Sequence, residues 1–149
     1  MVHSLNKGKR AERELCKILI KVTGVEWKRV PCSGALFTTH GSEEFAGDVY
    51  STVSPYDHIT IECKHHKESI HFSEFFNDLS RMHKWLKQSY KESRGNACYL
   101  FFKDRGKWFW VQVHGRFNLS PQFLIDLKRY SLRNPLLPLC GMLKGWRLK

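Results

Sequence analysis

Ile59-Thr60-Ile61-Glu62-Cys63-Lys64 is the stretch on which the fold turns. Its β-branched residues mark a strand, and side chains along a strand alternate across the pleat. Ile59, Ile61 and Cys63 therefore face one way, toward a core. Thr60, Glu62 and Lys64 face the other way, side by side. A carboxylate and an ammonium two residues apart on a half-buried strand are costly unless something needs them. Asp48 stands upstream, separated from Glu62 by thirteen residues. A hard cation held by Asp48 and Glu62, with Lys64 beside the reacting atom, is such a need.

Upstream of this strand, residues 47–53 read as another strand and residues 54–57 as a turn. Residues 25–30 read as a first strand, stopped by Pro31-Cys32-Ser33-Gly34. Residues 34–47 form a polar loop. Before them, Ala11, Leu15, Ile18, Leu19 and Val22 recur at helical spacing, which predicts a helix over 7–23 ended by Gly24. Downstream, Ser73 is the expected N-cap of a helix to about Ser93, with Phe75, Leu79, Met82, Leu86 and Tyr90 as its buried stripe. Residues 97–103 and 108–113 read as two strands joined by the hairpin turn Asp104-Arg105-Gly106-Lys107. Ser120-Pro121 opens a last helix to about Leu132. Helix, three strands, helix, two strands, helix predicts an α/β fold with a mixed central β-sheet flanked by helices.

The chain has 149 residues, enough for one domain with a real core. No apolar run is long enough for a transmembrane helix, and the N-terminus has no apolar signal core. An intracellular protein without a membrane partner is expected, in the cytoplasm or, for a viral protein, the host cytoplasm. The five cysteines are scattered and form no CxxC pair, which argues against a zinc knuckle or disulfide framework. The net charge of +11 favours a polyanionic partner, most simply nucleic acid. Lys7, Lys9, Arg10 and Arg13 place much of that charge on the first helix, away from its apolar stripe. His65 and His66 follow Lys64 directly and are candidate phosphate contacts; their spacing with His58 and His71 matches no common zinc motif.

Phosphodiester hydrolysis needs a divalent cation against the scissile phosphate, carboxylates to fix it, and a positive group for the attacking water or developing charge. Asp48 and Glu62 suit the carboxylates, the Cys63 backbone carbonyl a further oxygen ligand, and Lys64 the positive group. A fourth group can come from the first helix, where Glu12 and Glu14 flank opposite edges of the apolar stripe. Helix geometry alone does not choose between them.

Four blocks then stand in order: Lys7-Gly8-Lys9-Arg10-Ala11-Glu12-Arg13-Glu14-Leu15, Arg29-Val30-Pro31-Cys32-Ser33-Gly34, Gly47-Asp48, and Glu62-Cys63-Lys64. In these the chain resembles the PD-(D/E)xK nucleases, and within them the archaeal-type Holliday junction resolvases, which some viruses also carry. The resemblance is close over residues 5–65 and follows only the order of elements to about 113. It implies a restriction-endonuclease-like core within a single nuclease domain over 1–149, with the core at about 7–113 and a helical, basic extension over 114–149. It implies an active site of Glu12, Asp48, Glu62 and Lys64, selecting Glu12 over Glu14, with Mg²⁺ as cofactor (Mn²⁺ substituting). It implies that Arg13, Arg29 and Ser33 lie near the scissile phosphate. It also implies a homodimer whose two sites nick symmetric strands of a four-way DNA junction. Residues 36–44 are longer than the family's usual loop, and the extension has no counterpart. The competing expectations are another nuclease on the same fold, nicking or sequence-specific, and a basic nucleic-acid-binding module without catalysis.

Overall fold

The computed structural model describes residues 2–31, 47–93 and 96–114, with side chains from residue 8 onward other than those of 72 and 114. Ser33, the Lys7 side chain, the 36–44 loop, the helix expected from Ser120 and nearly all of the 114–149 extension lie outside the described residues.

The elements are α1 (Val2–Thr23), β1 (Lys28–Arg29), β2 (Val49–Tyr50), β3 (Ile59–His65), a 3₁₀ turn (Phe72–Phe75), α2 (Arg81–Glu92), β4 (Ala97–Asp104) and β5 (Lys107–His114). The strands lie in one sheet in chain order, β1-β2-β3-β4-β5. β3 and β4 are parallel and the other neighbours antiparallel, so the sheet is mixed. A parallel pair needs a crossover, and the 3₁₀ turn with α2 supplies it. β4 and β5 close as a hairpin over Arg105 and Gly106, both at positive φ (46° and 76°), the geometry of a tight hairpin turn.

Two apolar layers sandwich the sheet. On one side Ala11, Leu15, Leu19 and Val22 of α1 pack on Ile59, Ile61, Tyr99, Phe101 and Trp110. On the other, Met82 and Leu86 of α2 pack with Phe75 on Leu100, Phe102 and Val111. The alternation along β3 follows directly: Ile59 and Ile61 join the α1 layer with Cys63 packed against it, and Thr60, Glu62 and Lys64 take the α2 side. That second side is not open to water, as a half-buried strand would be. Thr60 and Glu62 are buried as completely as the isoleucines.

Three expected elements are shorter than the sequence suggested. Before β1, the Thr23 hydroxyl accepts from the Trp27 indole N–H at 2.9 Å, which holds residues 24–27 in a turn rather than a strand. Beyond β2, the Ser51 hydroxyl donates to the Glu26 carbonyl at 2.7 Å and replaces further ladder pairing. Ser73 is not the N-cap of the long helix. The Asn77 side chain accepts from the Leu79 N–H and its carbonyl from the Ser80 N–H, at 3.0 and 2.9 Å, and this local turn interrupts the run. α2 starts afresh from Ser80, whose hydroxyl accepts the His83 N–H at 3.1 Å. Leu79 is consequently 83% exposed and Tyr90 also faces solvent, although both were expected in the buried stripe.

Candidate active site

Asp48 sits where the chain enters β2. Its N–H donates to the Ile61 carbonyl at 2.8 Å, and its own carbonyl accepts from the Val30 N–H at 2.9 Å. Gly47 makes this approach possible: its φ is +85°, and a Cβ there would lie 2.6 Å from the Ile61 carbonyl oxygen. β2 pairs with β3 only at Val49 and Ile61, so the next N–H of β3 on this edge needs another acceptor. Asp48 Oδ2 provides it, accepting the Cys63 N–H at 2.9 Å. The carboxylate is thereby fixed against the strand that carries Glu62 and Lys64.

Lys64 Nζ lies 3.1 Å from Glu62 Oε2, with the side chains 20% and 2% exposed. Burial pushes the Glu62 carboxyl up to about 9, reinforced by the negative charge of Asp48 and a hydrogen bond with Glu92. At Lys64 burial acts downward, but the carboxylates of Glu62 and Asp48 outweigh it and hold the ammonium above its ordinary value. The two shifts pull against each other, since it is a charged Glu62 that raises Lys64. The raised Glu62 is the firmer direction, because its side chain is sealed from water while Lys64 keeps part of its hydration.

Glu92, in the last turn of α2, was not among the residues singled out from sequence. It acts on both Glu62 and Lys64, and its Oε1 accepts from Gln88 Nε2 at 2.9 Å. The available signal was only that the helix after β3 must cover the Glu62 face. The charges of Asp48 and Glu92 both favour a proton on Glu62, and even with Glu62 neutral they exceed the single positive charge of Lys64. That excess fits a hard divalent cation with oxygen ligands. Among the described residues no three His, Cys, Asp or Glu side chains are arranged to hold an ion by themselves.

The two helix carboxylates separate clearly. Glu14 accepts from Lys103 Nζ at 2.7 and 2.8 Å and from the Trp108 indole N–H at 2.9 Å. Burial opposes its charge, but these hydrogen bonds prevail and lower its pKa. Glu14 thus ties α1 to the β4–β5 hairpin. Glu12 instead accepts from Arg29 Nε of β1. Burial drives the Cys63 thiol well above its ordinary range, and the charges of Asp48, Glu12, Lys64 and Glu62 all act on it. Arg29, the partner of Glu12, stands one residue before Val30, whose N–H donates to the Asp48 carbonyl at 2.9 Å, so the Glu12–Arg29 pair lies on the strand beside Asp48.

The basic candidates scatter more widely. Lys9, Arg10 and Arg13 are exposed on α1. Arg29 is half-buried in its pair with Glu12. His65 is half-buried, and the exposed His66 meets Arg81 Nη1 through Nδ1 at 2.6 Å. No helix among the described residues is long and apolar enough to cross a membrane.

The family model described as "Phage putative PDDEXK endonuclease" matches residues 3–116. Protein D14 of Escherichia phage T5 is 38% identical over 114 residues, covering 72% of this chain and 69% of the relative. No solved structure matches. The family match runs from α1 past β5 and takes in Glu12, Asp48, Glu62 and Lys64 together, and the mixed five-stranded sheet between helices is the restriction-endonuclease-like fold. On these grounds the chain belongs to the phage PDDEXK endonuclease family.

Proposed function

We propose that the chain is a Mg²⁺-dependent, structure-selective DNA endonuclease that resolves four-way junctions as a homodimer, by paired phosphodiester hydrolysis. The observation that carries the catalytic part is the buried Glu62–Lys64 pair on β3, with Asp48 fixed beside it on Cys63. A divalent ion, Mg²⁺ or Mn²⁺, would be held by Asp48, Glu62, the Cys63 backbone carbonyl and Glu12, and when bound supplies positive charge to the scissile phosphate and acidifies a water. Lys64 orients the attacking water or stabilises the charge developing on the phosphoryl oxygens. The Cys63 N–H holds the Asp48 carboxylate in one orientation, so little reorganisation is needed when substrate arrives. The packing of α2 over Glu62 keeps water from its flank.

Lys7, Lys9, Arg10 and Arg13 on α1, with Arg29, Ser33, His65 and His66, are the proposed phosphate contacts, in keeping with a chain of net charge +11. The junction preference is supported by the four ordered sequence blocks. It has a geometric rationale in a dimer. Two fixed sites engage two phosphates together only where strands diverge, and linear duplex offers one of them in register. Labelled four-way junction, linear duplex of the same sequence and single strand, each with Mg²⁺ or EDTA, test the proposal. Paired symmetric nicks near the branch point, dependent on Mg²⁺ and far faster than duplex cleavage, are expected. Equal rates on junction and duplex would remove the resolvase reading and leave a nicking or sequence-specific PD-(D/E)xK nuclease.

A further inference from the structure

Glu12 is held by an arginine. Arg29 Nε donates to Glu12 Oε2, and the two side chains are 23% and 12% exposed. The pair joins α1 to β1, the edge strand of the sheet. Arg29 pairs with Val49 across the sheet, and the next residue, Val30, donates its N–H to the Asp48 carbonyl at 2.9 Å, so the arginine holds an oxygen of Glu12 on the strand beside Asp48. A guanidinium matches a carboxylate and a phosphate by the same fork of donors. A DNA phosphate arriving over the exposed Lys9 and Arg13 of α1 therefore competes for Arg29 on similar chemical terms. Glu12 released from Arg29 has both oxygens available to a cation; Glu12 bound to it does not.

We propose that Arg29 is a positioning residue that exchanges Glu12 for a DNA phosphate, and thereby couples DNA binding to metal binding. The inference rests on the reading of the site as a metal centre. Coupling of this kind is reciprocal: DNA raises the affinity for the ion, and the ion raises the affinity for DNA by the same factor.

Ca²⁺ titrations by calorimetry on the DNA-free protein test it without any turnover. Four proteins are compared: wild type, Arg29→Ala, Glu12→Gln and the double variant. Arg29→Ala is expected to bind Ca²⁺ about 5- to 10-fold more tightly than wild type. In the Glu12→Gln background the same change is expected to alter affinity less than about 2-fold, because the effect runs through Glu12. Arg29→Lys keeps a cation against Glu12 and provides a second variant should the alanine fold poorly; its affinity falls between wild type and Arg29→Ala. An equal gain in both backgrounds would mean that Arg29 acts as bulk positive charge, which overturns the proposal. Unchanged affinity in Arg29→Ala and Arg29→Lys, while Asp48→Asn loses Ca²⁺, overturns the coupling and leaves the metal centre standing. Equal Ca²⁺ binding by wild type and Asp48→Asn overturns the metal centre and the coupling together.

Discussion

Replacing Gly47 by alanine tests how Asp48 is brought to the site. Two costs follow from the geometry. The residue sits at φ +85°, where a side chain is disfavoured by about 1–2 kcal/mol. Its Cβ would also lie 2.6 Å from the Ile61 carbonyl oxygen, which cannot swing aside as a flexible side chain could. That oxygen accepts the Asp48 N–H at 2.8 Å, so relieving the clash strains or breaks this bond. Overpacking of this kind costs about 1–3 kcal/mol, and the hydrogen bond about 1 kcal/mol more. Alanine's lower unfolded-state entropy returns under ~1 kcal/mol. The net loss is about 2–5 kcal/mol, a large part of the stability of an ordinary domain. Gly106 supplies the control: its φ is +76°, but a Cβ there meets nothing within 4 Å. Gly106→Ala therefore isolates the backbone term and should cost roughly 1 kcal/mol or less. Equilibrium urea unfolding of both variants measures the difference, at unchanged m-value. A gap of at least ~2 kcal/mol is expected between them. Gly47→Ala and Gly106→Ala losing the same stability would refute the close approach of Gly47 to β3.

Glu14→Gln should weaken the tie of α1 to Lys103 and Trp108 and lower the urea midpoint, while single-turnover cleavage by the folded protein stays near the wild-type rate; a loss of cleavage as deep as that of Glu12→Gln would reverse the assignment of the two carboxylates. Burial and the charge of Asp48 push the folded Glu62 carboxyl from an ordinary 4.5 up to about 9, so the folded state binds the extra proton between those values. Its contribution to stability is complete below the ordinary value and is lost as pH rises toward the folded one. In EDTA, Glu62→Gln should therefore be more stable than wild type at about pH 8, by up to ~4 kcal/mol, with the gap closing toward about pH 5; a gap independent of pH across thermal melts would contradict the buried, raised carboxyl. Ser80→Ala removes the hydroxyl that caps α2 and should cost about 1 kcal/mol in urea unfolding, whereas Ser73→Ala, expected from sequence alone to do the same, should cost much less.

The parts legible in the sequence were those with a strong period or a local turn signal. The α1 stripe of Ala11, Leu15, Leu19 and Val22 is buried as its spacing implies. The hairpin at Arg105-Gly106 needed only its turn chemistry, and the inward and outward sets of β3 only its alternation. What was missed depended on competition between local hydrogen bonds and longer elements. Asn77 ends one helical turn before Ser80 starts another, and no periodicity of apolar residues reports that. Thr23 and Ser51 shorten the first two strands in the same way. At the site, Asp48, Glu62 and Lys64 followed from spacing; helix geometry left Glu12 and Glu14 open and the resemblance named Glu12, whereas the partners of the two carboxylates, Lys103 and Trp108 for Glu14 and Arg29 for Glu12, are distant in sequence. Glu92 was invisible because its relevance depends on how α2 lies over β3.

The central claim is that Lys64, beside Asp48 and Glu62, performs phosphodiester chemistry rather than serving as one more basic contact. Single-turnover cleavage of a labelled four-way junction in Mg²⁺, measured for wild type and Lys64→Ala alongside junction affinity in Ca²⁺, tests it most directly. Lys64→Ala should lose cleavage by a factor on the order of 10² or more, while its affinity stays within about 3-fold, because one phosphate contact among many is a small part of the electrostatic binding. Cleavage by Lys64→Ala at the wild-type rate, or a fall in cleavage fully matched by a fall in affinity, would contradict the account.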